Sequence, residues 1–390
     1  MIPTLCEPKK LEMSNNESKR LCIICDTPYQ LLNTISYACS QKEFEYSNVD
    51  VLVCNRDISE NQINNLKKRA EIGRVFFYNT DLVDNKRGKS LIYKAYRFFL
   101  PETFINGYVA GKEKIKCTNY SHLLCAFPMP ITVAFTMANP KVRIRLMDDG
   151  IGTYTGNIHM PLSKKKSIML FLKGASSPWN RIEKVYLNNK RYYEGDLALD
   201  YEELPRFSDG DDMLNNAIQE IFGYREGDEY SRNRMIYLTQ PLDLGDDRAE
   251  IYWKTEKTIQ TVFKEKEIKI LIRRHPKQPG YKFKGMAVDN TNNLWELVCR
   301  YQITDEHCLI GCFSTAQFSP KFLFDKEPWI IFTYSLYRGL FDEDALIRMN
   351  QMVKKLRNTY EKKYKVIVAE NQDELYQMIE MVKDKIMGNG

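Results

Sequence analysis

Short apolar runs alternate with amphipathic stretches along most of the chain. Runs at 21–25, 49–54, 74–78, 122–126, 142–147 and 184–187 predict strands, and the pattern resumes at 234–239, 268–274, 307–310, 329–332 and 365–368. Between them, spacings such as Leu31, Leu32, Ile35 and Cys39 give the stripe of a helix. Helices are predicted at 59–72, 89–99, 130–138, 163–173, 212–222, 247–263, 292–301, 314–323, 344–363 and 372–387. Strands alternating with helices imply parallel sheets with right-handed crossovers, an α/β fold.

Length turns this pattern into two halves. A chain of 390 residues that is 43% hydrophobic can bury two ordinary cores. The expected division is a loose tail over 1–19, a first doubly wound domain over 20–190, an acidic linker over 191–232 and a second domain over 233–390, with the last helix packing back on the first. The linker rests on charge, since residues 194–230 hold twelve acidic side chains and two basic ones.

A net charge of +6 is mild and lacks the concentrated stripe of a nucleic-acid binder. The ten cysteines are scattered. Cys22 and Cys25 have CxxC spacing, but on a strand they face opposite ways, and no second pair stands at zinc-site spacing. Buried free thiols and no metal site are expected. No apolar run reaches the roughly 20 residues of a membrane span, and the polar tail carries no signal-peptide core. A cytoplasmic protein is expected, with contact at the cytoplasmic face of the inner membrane and a homodimer as further expectations.

Candidate chemistry gathers at predicted strand ends, where open α/β sheets bind ligands. After the first strand, Thr27 is placed to cap a helix, Pro28 to open it and Gln30 to complete a capping box, so Thr27, Pro28, Tyr29 and Gln30 surround amides suited to an anion or a sugar hydroxyl. Asp148-Asp149-Gly150 closes the strand at 142–147, where either carboxylate can serve as a general base; the plainer alternative is an ordinary Asp-Gly turn. His275-Pro276 closes the strand at 268–274 among Arg273, Arg274 and Lys277, cationic company that suits a phosphate. Gly311, Ser314 and Thr315 open the helix after 307–310 as a phosphate cradle or as simple capping. Gln240 lies on the same rim, and Asp243 is a competing base. His307 and Cys308 read as packing residues.

In this order the motifs resemble the bacterial sialyltransferases, most closely glycosyltransferase family 52, the lipooligosaccharide and capsule group. The likeness rests on Asp26-Thr27-Pro28-Tyr29-Gln30-Leu31-Leu32-Asn33, Asp148-Asp149-Gly150, His275-Pro276 and Ser314-Thr315, and spans about residues 20 to 370. It implies a GT-B architecture of two Rossmann-like doubly wound domains facing a central cleft. It further implies CMP-N-acetylneuraminic acid as donor, inversion at the anomeric carbon, no metal or other cofactor, and a glycan or glycolipid acceptor with a terminal galactose-type hydroxyl. Under it, Asp149 or Asp148 deprotonates the acceptor, His275 stabilises the leaving phosphate, Ser314 and Thr315 hold that phosphate, and 27–30 lie near the sugar. Two other readings stand beside it: a transferase of the same fold using a UDP-sugar such as UDP-glucose, and a non-catalytic module for polyanions or membrane surfaces through Lys164–Lys166. The surface segments at 84–88 and 153–163 are the candidate acceptor loops and carry no readable code.

Overall fold

Strand β1, Leu21–Cys25, illustrates how each half is layered. All five residues are buried; Cys22 and Ile24 belong to one apolar cluster, Leu21, Ile23 and Cys25 to another. A strand sends alternate side chains to opposite faces, so a run this apolar requires cover on both sides of its sheet. The expectation that Cys22 and Cys25 point apart holds, and the nine described free cysteines are all buried.

The computed structural model describes residues 19–54, 57–79, 91–110, 112–126, 130–155, 178–193, 199–205, 211–240, 246–265, 268–275, 285–337 and 339–387. After β1 come β2 (Val49–Cys54), β3 (Val75–Tyr78), β4 (His122–Cys125), β5 (Arg143–Met147), β6 (Ile182–Leu187) and β7 (Asp200–Glu203). They form a seven-stranded parallel sheet in the order β3-β2-β1-β4-β5-β6-β7. The second sheet has six parallel strands, β8 (Met235–Leu238), β9 (Ile270–Arg273), β10 (Ala287–Val288), β11 (Cys308–Gly311), β12 (Trp329–Phe332) and β13 (Val366–Val368), in the order β10-β9-β8-β11-β12-β13. Each order is the doubly wound 3-2-1-4-5-6 sequence, with a topological switch point between β1 and β4 in one sheet and between β8 and β11 in the other. Two such domains with their strand ends meeting at one seam make the fold GT-B in type.

The stretch expected to be an acidic linker is largely structure. Its residues 200–203 are the edge strand β7, whose Glu202 and Asp200 pair with Lys184 of β6 at 2.7 and 3.3 Å, and helix Asp212–Phe222 packs on helices Pro28–Ser40 and Glu60–Leu66. An edge strand can be acidic because one side of it faces water, so composition alone conceals it.

The chain returns to the first domain through a different helix from the one expected. The last helix, Gln372–Met387, packs on helix Asp246–Glu265 and β12, within the second domain. The preceding helix, Glu343–Thr359, crosses to helix Ile151–Thr155 and the turn Lys190–Tyr192, where the Tyr192 and Thr359 hydroxyls lie 2.6 Å apart. Beside that contact, the Phe322 ring stacks on Tyr192 at 3.8 Å and meets Tyr154 edge-on at 5.2 Å. The domains therefore share buried aromatic surface as well as a polar rim. Among the described residues no helix is long and apolar enough to cross a membrane.

Candidate functional site

The turn after β5 separates its two carboxylates. Asp148 is fully buried, and its carboxylate accepts from Gly150 N at 2.7 Å, Asn188 N at 3.0 Å and the Tyr154 hydroxyl. Burial pushes its pKa up while these donors pull it back. Its backbone is gripped as well, since Asn33 Nδ2 donates to Asp148 O at 3.0 Å and Asn188 Nδ2 links Asn33 Oδ1 to the Tyr29 hydroxyl. Asp149 is exposed, and Gln30 Nε2 donates to its Oδ1 at 2.7 Å.

Gln30 explains how the first helix serves the turn. Thr27 caps that helix by accepting from Gln30 N at 3.2 Å, and Pro28 opens it, as the sequence suggests. The Gln30 side chain reaches one residue further back than a capping box requires and accepts from Asp26 N at 2.7 Å. Its amide nitrogen is thereby aimed at Asp149. Burial, with Asp148 and Glu296 nearby, raises the Tyr29 phenol well above its ordinary pKa.

On the second sheet, register aligns Arg273, Leu238 and Gly311 at the strand ends. Beyond them, His275 N donates to Thr239 Oγ1 at 2.8 Å, and Gln240 Oε1 accepts from Phe313 N at 3.0 Å across the switch point. Arg273 is committed inward to Asp289 and Asn293 O. Arg274 differs: it is half-buried, its guanidinium has no hydrogen-bond or salt-bridge partner among the described residues, and its Nε is out of contact with solvent. A planar cation left so on a ligand rim is suited to an oxyanion.

The candidate cradle is more engaged than its sequence implies. Ser314 caps helix Thr315–Phe324 in a capping box with Gln317. A Cβ on Gly311 would stand 3.0 Å from Leu238 O and 3.3 Å from Gln317, so this glycine makes room for the protein's own side chain. Thr315 faces the other domain. Its Oγ1 accepts from Ile151 N at 3.0 Å, and Gly150, at φ +92°, lies so close that a Cβ there would be 2.8 Å from Thr315. The glycine of the turn is thus required twice, by its backbone angle and by domain contact.

The motifs from the two halves consequently lie on one connected rim. Gly150 and Ile151 touch Thr315; Phe313, after β11, is tied to Gln240, after β8; Thr239, beside Gln240, accepts from His275, after β9. His275 is two strand spacings from the end of β11, about 10 Å. Pro276, Lys277 and Asp243, together with residues 84–88, 156–163 and the lysines at 164–166, lie outside the described residues. His307 packs between Thr304 and Tyr230 O, and Cys308 is buried in β11.

Sequence reasoning gave no role to Asn33, Tyr154, Asn188 and Thr239, which hold the named residues in place. Asn188 and Thr239 had a signal, each being the first polar residue after an apolar strand on the rim already singled out. Tyr154 had none, because only folding brings its hydroxyl to Asp148. Glu296, at the start of helix Trp295–Tyr301, was missed too. It is buried, and desolvation pushes its carboxyl up to about 7.

No protein-family model and no curated protein sequence matches the chain. Solved structures resemble it at low identity. The S. aureus MnaA–UDP co-structure is 12% identical over 94% of this chain and 88% of that one, with a TM-score of 0.49. The Methanocaldococcus jannaschii UDP-GlcNAc 2-epimerase in complex with UDP-GlcNAc and UDP is 10% identical over 93% and 92%, with a TM-score of 0.46. The spinosyn rhamnosyltransferase SpnG complexed with thymidine diphosphate is 10% identical over 93% and 91%, with a TM-score of 0.45. Likenesses at this level do not weigh for one activity over another.

Proposed function

We propose that the chain is an inverting glycosyltransferase that takes its sugar from a nucleotide-sugar donor. One observation carries the reading: an exposed, oriented carboxylate on the first sheet shares a rim with a histidine on the second and with an arginine that has no partner among the described residues. In the proposed reaction Asp149 takes the proton of an acceptor hydroxyl, and that oxygen bonds to the anomeric carbon. The bond from this carbon to the nucleotide phosphate breaks with its electron pair going to the phosphate oxygen. Arg274 and His275 face the charge that develops there, which lowers the barrier. Asp148 has a different part, that of anchoring the turn, because its carboxylate is buried among donors.

For the donor, the paired Asp-Asp-Gly and His-Pro motifs favour CMP-sialic acid, passed to a galactose-type hydroxyl of a surface glycan. A UDP-sugar is the second reading. It is favoured by the two strand spacings between the Arg274 and His275 pair and the Thr315 helix start, a separation that lets two phosphates engage both groups. The cationic charge in either case comes from side chains, with no metal invoked.

Thermal unfolding with CMP and with UDP tests the proposal and separates its branches. Saturation at a hundredfold excess over Kd should add about 2.7 kcal/mol of stability. Arg274→Met should weaken binding about tenfold or more, and release of CMP or UDP from supplied donors should follow the same preference. If neither nucleotide raises the melting temperature, the transferase reading fails.

A further inference from the structure

Among the described residues most exposed apolar side chains stand singly. One place among them differs. Tyr96, Phe99 and Leu100 fall within five residues, at 37%, 67% and 52% exposure, where helix Leu91–Phe99 turns into helix Pro101–Tyr108. Inward-facing neighbours fix the corner: Phe98, Phe104 and Ile105 are buried, Phe98 and Phe99 meet edge-on at 5.1 Å, and Tyr96 lies edge-on to Phe104 at 6.2 Å. The exposed rings are therefore held outward by packed ones.

Basic residues ring the corner. Lys94 is exposed and Arg97 half-exposed on the same helix, and Lys116 is exposed one residue before Cys117, whose N–H donates to Glu102 Oε2 at 2.9 Å. That bond brings Lys116 beside the helix that Leu100 introduces and occupies one oxygen of Glu102. Lys112 and Lys114 continue the charge along the neighbouring loop, against Glu113 alone.

We infer that this corner of the first domain docks on an anionic lipid surface, with Tyr96, Phe99 and Leu100 entering the headgroup region and Lys94, Arg97 and Lys116 facing the phosphates. Apolar rings beside long cationic side chains are the composition of an interfacial contact, and each basic residue adds attraction that falls with salt. Helices Leu91–Phe99 and Pro101–Tyr108 pack with Pro130–Ala138 on the sheet that carries Asp149, so docking places the proposed acceptor half against the lipid. The inference stands on the surface and is independent of the reaction.

Co-sedimentation of the full chain with vesicles of phosphatidylcholine alone, or of phosphatidylcholine and phosphatidylglycerol in equal parts, tests it. Binding should be confined to the anionic vesicles and weaken as salt rises. The double change Phe99→Ser with Leu100→Ser should lower it by on the order of tenfold, as should Lys94→Glu with Arg97→Glu. Tyr364→Ser, at an exposed aromatic elsewhere, should bind as the wild type does, and circular dichroism should show all variants folded. Equal binding to both vesicle types, or unchanged binding by both corner variants, overturns the inference. So does a wild-type dimer, seen by gel filtration with light scattering, that the Phe99 and Leu100 changes dissociate while no vesicle binding is found.

Discussion

The two rims share a strand order and are finished in opposite ways. On the first sheet, Asn33, Asn188, Tyr154 and Gln30 consume the hydrogen-bonding capacity around Asp148 and deliver Asp149 to the surface in one orientation. On the second, Arg274 has no hydrogen-bond or salt-bridge partner among the described residues. The contrast suits a division of labour. A proton acceptor works only when already aimed, whereas a cation awaiting an anion gains from having no protein carboxylate to displace.

The sharpest break between the rims separates the adjacent aspartates. Asp149→Asn should lower turnover by about 10²- to 10⁴-fold with little change in melting temperature, as measured with whichever donor the nucleotide screen selects. Asp148→Ala should do the reverse. It leaves the Tyr154 hydroxyl and two buried amides without their acceptor, so chemical denaturation should show a loss of roughly 3 kcal/mol. Equal effects of the two changes on stability would erase the distinction between the two carboxylates.

A third change probes the second domain beneath its rim. Because the folded Glu296 carboxyl titrates at about 7, between the unfolded value and 7 the folded chain keeps a proton the unfolded chain has lost. Stability therefore falls as pH rises through that window, by up to roughly 3 kcal/mol, and Glu296→Gln should abolish the loss. The gain from Glu296→Gln should appear at pH 8 and vanish near pH 4 in denaturant titrations. His122, pushed down to about 4 by burial, acts in the opposite sense, costing stability as pH falls below its ordinary value.

The smallest effect belongs to the point where the rims touch. Gly150→Ala places a Cβ against Thr315 on a left-handed backbone, and should cost about 2 kcal/mol of stability. If the contact aligns the rims, activity should fall further than this loss explains at temperatures where the variant stays folded. Unchanged kinetics would make the contact mere packing.

Much of the fold was legible because burial on two faces leaves a strong mark. β1, β2 and β12 and the helices at 130–138, 212–222 and 372–387 appear at the expected bounds. β7 was hidden because an edge strand tolerates Asp200, Glu202 and Glu203, and β10, two residues long, has no pattern to show. Helix Pro101–Tyr108 follows so closely on Leu91–Phe99 that one apolar period runs into the next.

By itself the sequence determined the alternation of strand and helix, the doubly wound class, the opposed faces of Cys22 and Cys25, and the strand ends at which polar motifs stand. Those follow from periodicity, which is local. Only tertiary structure decided that Asp148 is sealed and Asp149 offered, that Gln30 aims the latter, that Thr315 meets Gly150 and that Arg274 has no partner among the described residues. Each of these depends on which residues distant in the chain arrive at the same few ångströms, and the free energy of a buried polar group is set by those arrivals and not by its neighbours in sequence.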